Sequence, residues 1–120
     1  MDVVLSLHGR IAWALVVYYA VLGGWGIVLG LRGGGPTSSF RGAIVISMVA
    51  AVAQGALGLG ALATVGPREP LHTLYGFAML VALPLAMTIV RERTPRGQAI
   101  GLGLAALFTA GLAIRGITTS

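Results

Sequence analysis

The amino-acid sequence carries four apolar blocks, at about 11–31, 43–65, 71–90 and 100–114. Each is close to the roughly 20 residues that carry a helix across the hydrocarbon core of a bilayer. Isolated strands would leave backbone N–H and C=O groups unpaired in lipid, so the blocks must be helical. Composition agrees: 57% of the 120 residues are hydrophobic and only 9% are charged. A soluble domain covers itself with about a quarter charged residues, so lipid must cover much of this chain.

Three short connectors separate the blocks: 33–39 (Gly-Gly-Gly-Pro-Thr-Ser-Ser), 66–70 (Gly-Pro-Arg-Glu-Pro) and 91–96 (Arg-Glu-Arg-Thr-Pro-Arg). Connectors this short make successive helices antiparallel neighbours. The prediction is an all-α integral membrane protein, an antiparallel up-down four-helix transmembrane bundle. It forms one domain over 1–120, with helices at about 8–31, 43–65, 70–90 and 98–115. The first block is too long for a cleaved leader, lacks a small-residue cleavage pattern and precedes three further spans, so it reads as a helix of the bundle.

Arginine placement predicts orientation. Connectors one and three carry Arg32, Arg41, Arg91, Arg93 and Arg96, against Arg10, Arg68 and Arg115 at the other end. The bias toward basic cytoplasmic loops puts both termini outside a cell (inner) membrane. A net charge of +5 does not point to nucleic acid, because the arginines are scattered and form no patch interleaved with aromatics. The absence of cysteine excludes disulfides, thiolate metal sites and thiol catalysis. No span contains a carboxylate, which argues against proton-coupled transport. Phosphate loops, nucleophile–base pairs and metalloprotease motifs are likewise missing.

Many glycines lie inside spans. Gly26 with Gly30, and Gly97 with Gly101, have the four-residue spacing that lets helix backbones approach closely. Tight packing within the bundle and a specific homo-oligomeric contact are the two readings of that pattern. Pro84, in mid-span, is expected to kink its helix.

Few polar groups sit within or beside the spans, which makes each informative. His8 and His72, the two histidines of the chain, open helices one and three. Those helices run parallel in an up-down bundle, so both imidazoles lie at similar depth on one side. That is the arrangement needed to hold one metal, or one haem iron, from opposite faces. A helix N-terminus favours the neutral imidazole that binds metal. Two histidines without a carboxylate are too few for zinc, whereas a haem brings four nitrogens of its own. Arg10, Arg68 and Arg115 share that side and are candidates for the propionates of a haem b. Small residues at Gly58, Gly60, Ala61, Ala110 and Gly111 reach the same level. Gln54 is expected to bond across helices or to touch a cofactor. Tyr18, Tyr19, Trp13, Trp25 and Tyr75 read as packing or interface anchors. The competing reading places both histidines in the headgroup region with their polar tips in water.

At these residues the chain resembles a known family. His8-Gly9-Arg10-Ile11-Ala12-Trp13 resembles the histidine-led start of a haem-bearing helix in the heme A synthase family. Gln54-Gly55-Ala56-Leu57-Gly58 is similar to that family's Gln-x-x-Leu-Gly type stretch, and Leu71-His72-Thr73-Leu74 looks like its second haem histidine. The resemblance covers about 80 residues, from 8 to roughly 85, and leaves the fourth helix without a counterpart. It implies one four-helix half of a protein built from two such halves, with His8 and His72 on a haem b. The catalytic half of the family carries an acidic residue one turn before its first histidine, where this chain has Leu5. The resemblance therefore implies the non-catalytic, haem-holding half, engaged in electron transfer or haem handling. Its partners would be a quinol or a larger respiratory or membrane complex. The alternative is a cofactor-free accessory subunit that packs into such a complex through its glycine-rich faces.

Overall fold

Each apolar block folds as one helix, and local capping chemistry carries two of them beyond their apolar limits. The computed structural model describes residues 2–65 and 70–118. Its four helices are α1 (Asp2–Leu31), α2 (Ser38–Val65), α3 (Pro70–Val90) and α4 (Pro95–Thr118). Thr37 Oγ1 accepts from the Phe40 amide at 3.1 Å, and Thr94 Oγ1 accepts from the Gly97 amide at 3.1 Å. Each threonine thus satisfies an amide that the first turn leaves unpaired. These caps start α2 and α4 earlier than the apolar pattern predicts. Pro95 then occupies the first helical position, where its missing N–H costs nothing. Helix α1 also starts early, at Asp2, with no Gly or Pro before Gly9 to stop it.

That early start moves His8 into the second turn of α1, beyond the orphan amides. The expected place at a helix N-terminus therefore holds for His72, the third residue of α3, and not for His8. Helix α1 ends where Gly33 takes φ +83°. The Gly33 amide bonds the Gly30 carbonyl and the Gly34 amide the Leu29 carbonyl, the Schellman pattern that glycine permits at little cost. Helix α3 continues as one element through Pro84.

The helices are arranged in a ring, α1–α2–α3–α4, with α4 closing back on α1. The α1–α4 seam is the most extensive and α2–α3 the thinnest, while α1 and α3, like α2 and α4, stand diagonally without close backbone approach. All four helices are long and apolar enough to cross a membrane. The 48 Å long axis spans a bilayer of about 40–45 Å including its headgroups. Val17, Val49, Phe77 and Phe108 face outward, each more than 60% exposed, as lipid contact requires. The chain is an all-α, multi-pass transmembrane bundle. Both termini lie at one end (the terminus end), and the α1–α2 and α3–α4 connectors lie at the other (the loop end).

The interior combines bulky residues from α1 and α2 with small ones from α4. Leu15, Tyr19 and Leu22 meet Phe40 and Ile44, while α4 offers Ala99, Ala106, Ala110 and Ala113. The Trp25 and Phe40 rings meet edge-on at 5.3 Å. Small residues let α4 press against α1. A Cβ built on Gly26 would fall 2.8 Å from the Ala99 carbonyl oxygen and 2.9 Å from the Gly103 Cα. Gly30 faces Ile100 of the same helix. The Gly26/Gly30 pair thus serves packing inside the bundle, and Gly101 meets Val90 of α3.

Gly26→Leu should break this seam, because the obstructing atoms are backbone and cannot rotate away. Its cost should reach at least the roughly 1–3 kcal/mol of overpacking, read as a lowered unfolding midpoint in detergent. Gly24→Ala, with open space around its Cβ, should leave that midpoint unchanged or raised, since alanine favours helix by about 1 kcal/mol.

Candidate functional site

Three hydrogen bonds set α1 against α2 in a single antiparallel register. The Tyr18 hydroxyl donates to the Ala43 carbonyl at 2.7 Å and the Tyr19 hydroxyl to the Ser47 carbonyl at 3.2 Å. Nearer the terminus end, Gln54 Nε2 donates to the His8 carbonyl at 2.8 Å. One turn further along the same face of α2 lies Gly58. A Cβ at Gly58 would stand 3.3 Å from Cε1 of the His8 ring. Helix α2 therefore gives His8 both a strut, through Gln54, and a slot, through Gly58.

His72 is held from the other side of the bundle. Its Nδ1 lies 2.7 Å from the Gly116 carbonyl oxygen in the last turn of α4. A carbonyl only accepts, so Nδ1 must carry the proton of this bond. In the neutral ring the lone pair is then on Nε2. A histidine whose Nδ1–H is anchored on a carbonyl has the orientation and tautomer that a metal-binding imidazole requires.

Although α1 and α3 are diagonal, the two imidazoles meet. Their ring centroids are 6.0 Å apart and their planes are inclined by 71°. Two rings bound to opposite sides of one metal stand roughly 6 Å apart, from two bonds of about 2 Å and about 1 Å from each nitrogen to its ring centre. Edge-to-face packed rings have a similar separation. Both rings are half-buried, and Nδ1 of His8 is enclosed.

The other candidates divide. Arg115 precedes Gly116 on α4, and its guanidinium carbon lies 5.7 Å from the centre of the Tyr75 ring, a cation–π arrangement. Tyr75 is one turn beyond His72, so Arg115 belongs to the same corner. Arg10 is exposed and two positions from His8, hence on a different face of α1. Arg68 lies outside the described residues, as does the 66–69 part of its connector. Of the small residues, Gly58 touches a histidine and Ala110 is in the core, while Gly60 and Gly111 are exposed. The side chain of Ala61 is outside the described set. Gln54 Oε1 is a buried acceptor with no donor among the described residues.

The Gly116 carbonyl is the feature that sequence reasoning missed. A backbone acceptor leaves no trace in residue type. The nearest signal is general: last-turn carbonyls lack intrahelical partners, and the antiparallel α3–α4 pair sets that turn beside His72.

The donor set constrains what the pair can hold. Among the described residues no third His, Cys, Asp or Glu side chain joins the pair. Two imidazoles suit a group that supplies its own equatorial donors, and a haem fits that description.

The hydrogen bond to Gly116 fixes an observable. Nitrogen-15 NMR of the histidine-labelled, haem-free protein, at a pH where imidazole is neutral, should show His72 as the Nδ1–H tautomer. An Nε2–H tautomer there would contradict the assigned bond.

Comparison with known protein families, with curated proteins and with solved structures finds no match to this chain.

Proposed function

We propose that this protein is a small membrane cytochrome of the b type, holding one haem b between His8 and His72 for electron transfer or haem handling. The observation that carries the reading is the meeting of two imidazoles from diagonal helices, one of them already oriented through its Nδ1–H. When bound, haem b supplies four equatorial nitrogens and one-electron chemistry.

The chain's own residues supply the rest. Gly116 fixes the tautomer and aim of His72, and Gln54 pins the backbone from which His8 projects. Gly58 leaves the His8 ring its space. Arg115, close to His72 through Tyr75, offers a counter-charge for propionates, with Arg10 and Arg68 as further candidates. With His8 and His72 both holding the group, it would supply electron transfer rather than oxygen chemistry. Leu5, where the similar catalytic halves have an acid, sets oxidation of a haem methyl group outside this proposal. A quinol or a membrane redox complex is the natural partner for a site at the end of the bundle. On the orientation argued from the arginines, that end faces outward. A cofactor-free subunit would gain only the edge-to-face contact of the two rings from this meeting, and for this reason we rank it second.

The test is an absorption spectrum of protein purified from haem-replete cells, oxidised and then reduced with dithionite. A sharp Soret band with resolved α and β bands on reduction is expected. His8→Ala and His72→Ala should each abolish the six-coordinate spectrum while leaving the helical circular dichroism intact. A colourless wild-type protein would sink the proposal.

A further inference from the structure

The loop end of the bundle has a different character. Between α2, α3 and the start of α4 lies a cleft of about 480 Å³, within the roughly 300–1,000 Å³ of small-molecule sites. It lies along the thinnest seam of the ring. Its walls include Met48, Pro84 and Met87, and its rim includes Arg41, Arg91 and Gln98. Both arginines are exposed. Arg41 belongs to the first turn of α2 and Arg91 immediately follows α3, so the charges stand at headgroup depth and the walls at acyl-chain depth.

Gln98 organises the rim. Its Oε1 accepts from Arg41 Nη2 at 3.3 Å, and its Nε2 donates to the carbonyls of Arg91 and Arg93 at 3.2 Å each. One amide thus ties the starts of α2 and α4 to the α3–α4 connector. Arg41 keeps most of its five donors for other use. No carboxylate lines the cleft, and among the described residues none pairs with Arg41 or Arg91. Two cations without an acid select an anion with several acceptor oxygens, and phosphate meets guanidinium in that way. The walls select an apolar chain, and unbranched Met48 and Met87 adapt to one without a fixed shape. Leu85 and Ile89, elsewhere on α3, are 57% and 60% exposed, as lipid-facing residues are.

We infer that this cleft binds one anionic phospholipid, with its phosphate between Arg41 and Arg91 and an acyl chain along Met48 and Met87. The site is at the opposite end from the histidines and does not rest on the haem reading.

The test uses the full chain in neutral detergent, with bound lipid counted by native mass spectrometry during titration with phosphatidylglycerol or phosphatidylcholine of matched chains. Phosphatidylglycerol should bind at least fivefold tighter. Arg41→Gln and Arg91→Gln should each weaken it about fivefold, the size expected for one interfacial arginine, and weaken phosphatidylcholine, whose choline offsets its phosphate, by less than twofold. Met87→Trp, which fills the cleft without altering charge, should also release phosphatidylglycerol. Arg41→Lys should retain most of the binding, and Arg91→Gln with Met87→Trp carry the test if loss of the Gln98 bond unfolds Arg41→Gln. The double change Arg32→Gln/Arg96→Gln removes charge at the same end but outside the cleft, and should change binding less than twofold. Equal binding of the two lipids would overturn the inference, as would an equal loss in the Arg32/Arg96 variant. Displacement by soluble glycerophosphate as effective as by the lipid itself would also overturn it, since the apolar walls would then contribute nothing.

Discussion

The close approach of α1 and α4 at Gly26 and Gly103 is the constraint on which the rest of the bundle depends. Lipid is as apolar as leucine, so helices in a bilayer gain little from hiding apolar surface and must be held by dispersion and hydrogen bonds. Dispersion falls away within about 1 Å of separation, so backbone-to-backbone contact is effective where side chains stand aside. Gly23, Gly26 and Gly30 on α1 stand aside together, facing Gly103, Ala99 and Ile100 on α4. This contact joins the last helix to the first and turns a chain of hairpins into a closed ring.

Closure determines what can meet across the centre. Neighbouring helices in an up-down bundle are antiparallel, and diagonal ones are parallel. With α4 drawn against α1, and α1 tied to α2 by Tyr18, Tyr19 and Gln54, the terminus end narrows enough for His8 and His72 to touch across the diagonal. Each imidazole depends on a neighbouring helix as well as its own: His8 on the glycine slot in α2, His72 on a carbonyl of α4. The site is therefore a property of the whole ring.

Much of this was legible in the sequence, for identifiable reasons. The four blocks dictate four helices because lipid permits little else. The short connectors dictate parity, and parity puts His8 and His72 at one end. Helix limits were less legible, because Thr37 and Thr94 act through hydroxyls on single amides and leave no apolar periodicity. Lateral order was not legible either. The glycines at 26, 30 and 101 announce close packing but do not say against which helix. Gln54 announced a bond across helices, but its acceptor is the backbone of His8, and the partner of His72 is likewise a carbonyl. Residue type encodes donors on side chains well and acceptors on the main chain hardly at all.

The seams of the ring are unequal, and the inequality has a direction. The α1–α4 seam rests on backbone contact that any widening would forfeit, α1–α2 carries hydrogen bonds along its length, and α3–α4 is fastened at the terminus end by His72 and at the loop end by the Gln98 amide. The α2–α3 seam has the least backbone approach of the neighbouring pairs, and a cleft of about 480 Å³ opens along it. Its walls there are methionines, side chains that repack at little cost. Parting α2 from α3 would forfeit the least backbone contact of any neighbouring pair. The α1–α4 contact sets the backbone of His8 against that of Gly116, and α2 and α3 complete the site from either side through Gln54, Gly58 and His72.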